Sequence, residues 1–135
     1  MSMMYYMTQK ILGIPGAFST PKIYNYLQWA CGREFRWSFI DYSDATQGVQ
    51  DLIDGINPGG GSYHVVGHSL GGLIALALAD KPWVKSITTI SAPLGGLDLN
   101  PMQRWFSRSE FLAEIRSSGE FIKRLESQEV SVPVQ

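Results

Sequence analysis

The sequence predicts an α/β fold in which a mostly parallel sheet of about five strands is flanked by helices on both faces. Short β-rich runs alternate with segments whose apolar residues recur at helical spacing, which is typical of a parallel sheet covered on two sides. Apolar residues make up 44% of the chain and charged residues 17%, as in a globular protein with a sizeable core. A length of 135 residues fits a single domain over residues 1–135.

Each predicted strand is a short run of apolar and β-branched residues that stops at a turn-forming segment. The first breaks at "PGAFSTPK", and the third leads directly into a long apolar segment. The last run, "VSVPVQ", predicts the beginning of a fifth strand, in which Pro133 indicates an edge position. The runs are Lys10–Ile14, Phe35–Tyr42, Tyr63–Gly67, Val84–Ser91 and Val130 onward.

Three helices are predicted between these strands. The first has Thr20 as its N-cap and Pro21 at its first position, and Gly32 ends it. The third, "LGGLIALALAD", is apolar on most sides and is therefore expected at the centre of the fold. The first two carry apolar stripes at helical spacing: Ile23, Tyr24, Leu27 and Ala30 in one, and Val49, Leu52, Ile53 and Ile56 in the other.

Residues 98–127 break the alternation and predict a lid-like helical segment. Ser107 with Glu110, and Ser117 with Glu120, have the spacing of a capping box, which predicts two short helices. Ligands of open α/β sheets bind outside the carboxyl ends of the strands, and this segment follows the fourth strand. The alternative is that both helices pack their apolar faces on the core.

Composition and charge exclude several classes of function. The formal net charge of −1 gives no electrostatic reason to bind nucleic acid or an anionic membrane. The single cysteine, Cys31, excludes an intramolecular disulfide framework and any site built from several cysteines, and we expect no metal or other cofactor. The apolar run from Leu70 to Ala79 is too short to span a bilayer. The start "MSMMYYMTQK" lacks the pattern of a signal peptide, so a cytoplasmic location is expected.

One stretch, "SYHVVGHSLGGLIALALAD", places Ser69 in a GxSxG motif between a predicted strand and a predicted helix. A nucleophile at the tip of such a sharp turn sits in strained backbone with its hydroxyl exposed. Larger side chains at Gly67 or Gly71 would collide with the neighbouring strand and helix, and Gly72 lets the helix pack closely. A phosphate-binding glycine loop is a poor alternative, because neither of its sequence patterns is present.

This stretch resembles the nucleophile elbow of the α/β-hydrolase superfamily and is closest to lipases and esterases. "ILGIPGAFST" resembles the strand and oxyanion loop, "ITTISAPLGG" the strand after the elbow, and "SSGEFIKRLES" a helix that precedes the next strand. The resemblance covers nearly the whole chain in the family's order, and it implies an acyl-enzyme intermediate on Ser69. Pro15 stands where lipases often carry histidine.

The resemblance also implies an oxyanion hole of backbone N–H groups, the usual donors to a tetrahedral oxyanion. These would come from Leu70, which follows the nucleophile, and from Ala17, with Phe18 as a second candidate. The implied elbow consists of Gly67, His68, Gly71 and Gly72 around the serine.

The partners of Ser69 are harder to find. A serine nucleophile needs a base that an acid orients, and in this family the acid and the histidine follow the serine, whereas both histidines here precede it. His64 is five residues away on the same strand, ~16 Å at about 3.3 Å per residue. His68 leaves the strand on the other side and is predicted to be packed and hydrogen-bonded. Asp98 matches the acid of a minority of family members, although a loop or helix-start role is favoured.

The sequence therefore predicts a lipase-like or esterase-like serine hydrolase whose acid and base are missing from this chain, with weak or no activity alone. A truncated enzyme, a natural split or degenerate member, and a chain completed by a partner all remain open. The alternative function is a non-catalytic α/β-hydrolase-like binding or interaction module; thioesterase, acyltransferase or cofactor-free haloperoxidase chemistry is a weaker one.

The expected substrate is a small-molecule or lipid ester. The candidate pocket and lid residues are Met102, Trp105 and Phe106, which follow the fourth strand. The strand edge near Val130–Val134 predicts dimerisation or aggregation, because an unpaired edge offers its backbone groups to another chain.

Overall fold

The computed structural model describes residues 8–45, 47–98 and 114–135. Within these ranges four parallel strands form one sheet in the order β2-β1-β3-β4, which confirms the α/β class. The strands are β1 (Gln9–Ile14), β2 (Phe35–Phe39), β3 (Tyr63–His68) and β4 (Val84–Ile90). The helices are a 3-10 helix (Pro21–Tyr24), α1 (Asn25–Cys31), α2 (Val49–Gly55), α3 (Leu70–Ala77) and α4 (Glu120–Ser127).

Strand β3 lies inside the sheet, where it pairs with β1 on one side and with β4 on the other. In this register Ile14 at the end of β1 is opposite Gly67. The residues that follow β3 are therefore at the middle of the carboxyl edge of the sheet. This is where an open α/β sheet offers a crevice to a ligand.

One face of the sheet is covered by α3, with α2 and α4 packed beside α3. Leu73 and Ile74 of α3 are fully buried in the same core as Val65 and Ile87 of the sheet, and each such side chain contributes about 1.5–3 kcal/mol by leaving water. The predicted apolar stripe of α2 is confirmed, because its four residues are all buried: Val49, Leu52, Ile53 and Ile56.

The other face is covered at β1 and β2 by the 3-10 helix. The ring of Tyr24 packs against Trp37 and Phe39, with centroids 5.7 and 5.9 Å away. Of the apolar face predicted for this region only Tyr24 is buried, and Ile23 is 43% exposed. The predicted helix stop at Gly32 is confirmed, since it caps α1 at a positive φ of 71°. Thr20 precedes the 3-10 helix in extended backbone, but its side chain makes no capping hydrogen bond.

The described part of residues 98–127 packs on the core. Phe121 and Ile122 of α4 are buried, which agrees with the alternative of core-packing helices for this half of the segment. The capping box at Ser117 is wrong: the helix begins at Glu120 after Gly119, and Ser117 hydrogen-bonds to Asp98 instead. The first predicted helix, at Ser107, lies outside the described residues.

The predicted fifth strand is reduced to a single parallel bridge between Val134 and Ile87. Ile87 donates its N–H to the carbonyl of Pro133 at 2.9 Å and accepts from the N–H of Gln135 at 3.0 Å. The chain thus pairs with β4 in the expected direction, but the bridge is at Val134, four residues after the predicted start at Val130. One reason is that Pro133 has no N–H to donate to a ladder.

Candidate active site

Three tight turns meet at the carboxyl edge of the sheet, after β1, β3 and β4. In each of them one non-glycine residue has a positive φ: Phe18 at 60°, Ser69 at 53° and Ser91 at 52°. Such backbone costs of order 1–3 kcal/mol per residue and concentrates at functional sites. The sequence marks Ser69 by its GxSxG motif and Phe18 by the resemblance to an oxyanion loop, but it does not predict the positive φ of Phe18 or Ser91.

Ser69 is the single residue between β3 and α3, and its backbone lies at φ 53° and ψ −121°. These are the angles of the first central residue of a type II′ turn, which glycine usually occupies. Its N–H donates to the carbonyl of Ile90 at 2.8 Å, and its carbonyl accepts from the N–H of Gly72 at 2.9 Å. The half-buried serine is thus held at a sharp strand-to-helix turn, as the elbow motif predicts.

The glycines around Ser69 are required by close backbone approach. A β-carbon at Gly67 would lie within 3.0 Å of backbone atoms of Gly71 and Gly72. A β-carbon at Gly71 would lie within 3.0 Å of the carbonyl oxygens of Ile14 and Pro15. No side-chain rotation relieves a collision with backbone, so these two positions accept only glycine without rearrangement.

The shortest contact at Gly72 is with a side chain rather than with backbone. A β-carbon there would lie 2.6 Å from the side-chain methyl group of Ala92, just after β4. The N-terminal end of α3 thus fits closely between the ends of β1 and β4.

The segment after β1, the predicted oxyanion loop, runs directly beside the serine. A β-carbon at Gly16 would lie 3.2 Å from Cβ of Ser69. The loop turns back where the N–H of Ser19 donates to the carbonyl of Gly16 at 3.2 Å, and this turn contains both Ala17 and Phe18.

The candidate oxyanion donors Leu70, Ala17 and Phe18 are therefore on two adjacent segments. Leu70 is the first residue of α3, and the first N–H groups of a helix have no acceptor within it. A helix N-terminus also favours negative charge. The assignment of Leu70 and Ala17 as donors remains a prediction that this geometry can accommodate.

Neither histidine is hydrogen-bonded to Ser69 among the described residues. Nδ1 of His64 is 2.6 Å from the hydroxyl of Ser86 and its Nε2 is 3.1 Å from Gln9, nearer the amino end of the sheet. Burial, and to a smaller extent Lys85, lowers the pKa of His64.

His68 differs from the expectation in one respect. It is half-buried, but its Nδ1 is buried without a hydrogen-bond partner in the described part of the chain. The same Nδ1 would be 3.2 Å from a β-carbon at Gly16. The ring is thus packed against the loop after β1, and its expected hydrogen bond is missing at this nitrogen.

Asp98, the candidate acid, lies on the exposed loop after β4. Its carboxylate accepts a hydrogen bond from the backbone N–H of Ser117 at 3.2 Å and another from the hydroxyl of Ser117. These contacts tie the loop to the chain that precedes α4, which is the loop role favoured from the sequence. A catalytic role for Asp98 stays a prediction.

Other predicted features are only partly covered. Met102, Trp105 and Phe106 lie outside the described residues. In the described ranges no group of three His, Cys, Asp or Glu residues could hold a metal ion, and no helix there is long and apolar enough to cross a membrane. A cavity of about 630 Å³ lies at the amino end of the sheet, next to Gln9 and Lys85 and on the opposite edge from Ser69.

Two comparisons with known proteins bear on this arrangement. A family model described as the alpha/beta hydrolase family matches residues 13–131. A search of curated proteins found no match. The matched range begins in β1 and includes the whole carboxyl edge around Ser69.

Proposed function

The chain belongs to the α/β-hydrolase family, and on this basis we propose that it is a serine hydrolase of carboxylic esters, lipase-like or esterase-like, with Ser69 as nucleophile. The observation that carries this proposal is the strained backbone of Ser69 between β3 and α3. Strain of this kind persists only where the surrounding structure enforces it. Here it presents a hydroxyl at the carboxyl edge of the sheet.

In the proposed reaction the hydroxyl oxygen of Ser69 attacks the ester carbonyl carbon, and a base accepts the hydroxyl proton. The N–H groups of Leu70 and Ala17 stabilise the negative charge that develops on the carbonyl oxygen. The alcohol leaves with a proton, and water then hydrolyses the acyl-serine. The helix N-terminus at Leu70 supports the same charge.

The base is the missing component. The sequence contains only two histidines; His64 is engaged with Ser86 and Gln9, and His68 makes no hydrogen bond to Ser69 within the described ranges. We therefore propose that the base is a residue outside these 135, on a longer chain or on a partner. The 135 residues alone should turn over esters weakly or not at all.

Exposed apolar side chains at the same edge favour an ester with an apolar acyl group. Phe18 is 79% exposed on the turn beside Ser69, and Leu94 is 56% exposed on the loop after β4. Strained backbone of this kind concentrates at active sites and ligand clamps, and an exposed aromatic side chain on it offers an apolar contact to a ligand. These side chains would line the approach to the serine.

The first testable prediction concerns labelling by a fluorophosphonate, which reacts with activated serines. We expect slow but specific modification of Ser69, because oxyanion donors alone retain part of the rate acceleration of a serine hydrolase, roughly 10³–10⁴ over water. Intact-mass and peptide mass spectrometry would locate the adduct. Ser69→Ala should remove it, and Ser118→Ala, at an exposed loop serine, should keep it.

A folded chain that is never labelled at Ser69 would contradict this function. It would favour the alternative of a non-catalytic binding or interaction module that keeps the fold without the chemistry. In the part of the chain that the structure describes, neither histidine is hydrogen-bonded to Ser69, and this observation favours that alternative. If the wild-type chain hydrolysed esters rapidly and Ser69→Ala did not, the proposal that the base lies outside these residues would be contradicted.

The second prediction concerns self-association, which we propose occurs along the segment that pairs with β4. Pro133 and Gln135 direct hydrogen-bonding groups toward β4, so the alternation of a strand turns the groups of Val134 to the outer side. Val134 is also 44% exposed. We expect concentration-dependent dimerisation in analytical ultracentrifugation and a decrease in Val134→Pro, which removes the outer N–H. A monomer at high concentration would argue against this edge as an interface.

A further inference from the structure

The backbone that leaves β1 toward the oxyanion loop is held at four successive carbonyl oxygens. The outer two accept from backbone N–H groups, as in an ordinary sheet and turn. The inner two accept from side chains, the phenol hydroxyls of two tyrosines that come from different parts of the chain. The four bonds are Ile40 N–H to Gly13 at 3.0 Å, Tyr24 to Ile14 at 2.6 Å, Tyr42 to Pro15 at 2.5 Å, and Ser19 N–H to Gly16 at 3.2 Å.

Both phenols are rigid and protonated. Tyr24 is 1% exposed and Tyr42 6% exposed, and the ring of Tyr24 is fixed against Phe39. Burial raises the pKa of both hydroxyls, so they remain hydrogen-bond donors throughout the pH range in which an esterase works. They form fixed anchor points for the carbonyls of Ile14 and Pro15.

Tyr24 also connects the two halves of the proposed oxyanion hole. Besides Ile14, its hydroxyl oxygen is 3.2 Å from the carbonyl of Val66 in β3. One hydroxyl therefore joins the end of β1 to the last residues before Ser69. The spacing between the loop after β1 and the elbow is fixed at this atom.

Tyr42 acts closer to the candidate donor. Its hydroxyl holds the peptide unit between Pro15 and Gly16, and the next unit carries the N–H of Ala17. Because peptide units are planar, only the two backbone torsions of Gly16 separate this unit from the next, and the bond from the Ser19 N–H to the Gly16 carbonyl holds that next unit as well. Gly16, with no side chain, supplies little restraint of its own.

We propose that Tyr24 and Tyr42 are positioning residues, whose hydroxyls set the place of the Ala17 N–H relative to Ser69 and Leu70. This inference rests on the proposed function for its catalytic meaning. The geometric part, control of the loop after β1 by two phenols, can be tested without any reaction. Neither tyrosine is expected to touch the substrate.

The chain offers a matched control in Tyr63. Its hydroxyl also donates to a backbone carbonyl, that of Pro58 at 2.8 Å, but at the start of β3 and away from Ser69. Tyr63→Phe therefore removes the same kind of bond at a similar cost in stability. The comparison of Tyr42→Phe and Tyr24→Phe with Tyr63→Phe separates positioning from general stabilisation.

The experiment measures fluorophosphonate labelling of Ser69 against probe concentration, at a temperature where circular dichroism shows all variants folded. We expect the maximal labelling rate to fall about tenfold in Tyr42→Phe and in Tyr24→Phe, since displacing an oxyanion donor costs less than the roughly 10²–10³ of deleting one. The probe concentration at half-maximal rate should stay unchanged, and Tyr63→Phe should label like the wild type.

In parallel, ¹⁵N NMR spectra should show shifted and faster-exchanging amides at Gly16 and Ala17 in the first two variants and not in Tyr63→Phe. If these amides are undisturbed, or if all three variants label equally, the positioning role is wrong. If the wild type is not labelled while the amides respond, the proposed function is wrong and the anchoring of the loop is upheld.

Discussion

Gly71→Ala is expected to destabilise the protein by about 3 kcal/mol or more, the upper range for overpacked positions. The new methyl group would stand within 3.0 Å of the carbonyl oxygens of Ile14 and Pro15. Those oxygens cannot move aside freely, because Tyr24 and Tyr42 hold them by hydrogen bonds. Either α3 must shift away from β1 or both phenol contacts must break.

Urea denaturation followed by circular dichroism would measure this loss. Gly55→Ala is the matched control, because a β-carbon at that last residue of α2 meets nothing within 4 Å. We expect it to be neutral or to stabilise by about 0.4–1 kcal/mol, as alanine restricts the unfolded chain. Gly72→Ala, whose one contact shorter than 3.0 Å is with the methyl group of Ala92 rather than with backbone, should fall between the two. Equal denaturation midpoints for Gly71→Ala and Gly55→Ala would refute the proposed collision.

Features of the fold that depend on local sequence could be predicted from it. The alternation of strands and helices, the buried stripe of α2 and the elbow at Ser69 all follow from neighbouring residues and their spacing. The need for glycine at Gly67 also follows from nearby residues, whereas Gly71 meets Ile14 and Pro15, which lie far from it in the sequence, and was predicted only through the motif.

Features that depend on residues far away in the sequence could not be predicted from it. Ser117 has the spacing of a capping residue, yet its hydroxyl bonds to Asp98, which is nineteen residues away. A second example is at the start of α2. There the N–H of Val49 donates to the carboxylate of Glu114, which is 65 residues away in the sequence. Nothing in the spacing of a sequence distinguishes these tertiary contacts from the local ones that a motif suggests.

The candidate site divides in the same way. The turn at Ser69 is marked by a motif, whereas the tyrosines that anchor the loop after β1 are not. Tyr24 was expected only as one apolar residue of a helix face, and its ring does pack as such. Its hydroxyl, however, bonds to Ile14 ten residues earlier, and that of Tyr42 bonds to Pro15 across 27 residues.

Ser69→Gly is expected to abolish fluorophosphonate labelling while raising the free energy of unfolding by about 1 kcal/mol. At φ 53° and ψ −121° a side chain costs of order 1–3 kcal/mol, and glycine pays almost none of this cost. Glycine also makes the unfolded chain more flexible, which lowers the free energy of unfolding by roughly 0.4–1 kcal/mol. A net stabilisation should remain.

Ser69→Ala supplies the comparison, because it removes the hydroxyl and keeps the β-carbon that causes the strain. Both variants should lose labelling, but only Ser69→Gly should become more stable, and equilibrium urea denaturation of the two side by side would detect the difference. If only Ser69→Gly raises the free energy of unfolding, then any side chain at this position destabilises the fold. Such a loss of stability is expected where the side chain has a chemical function. If Ser69→Gly were less stable than Ser69→Ala, the backbone of Ser69 would be relaxed, and the observation on which the proposed function rests would lose its force.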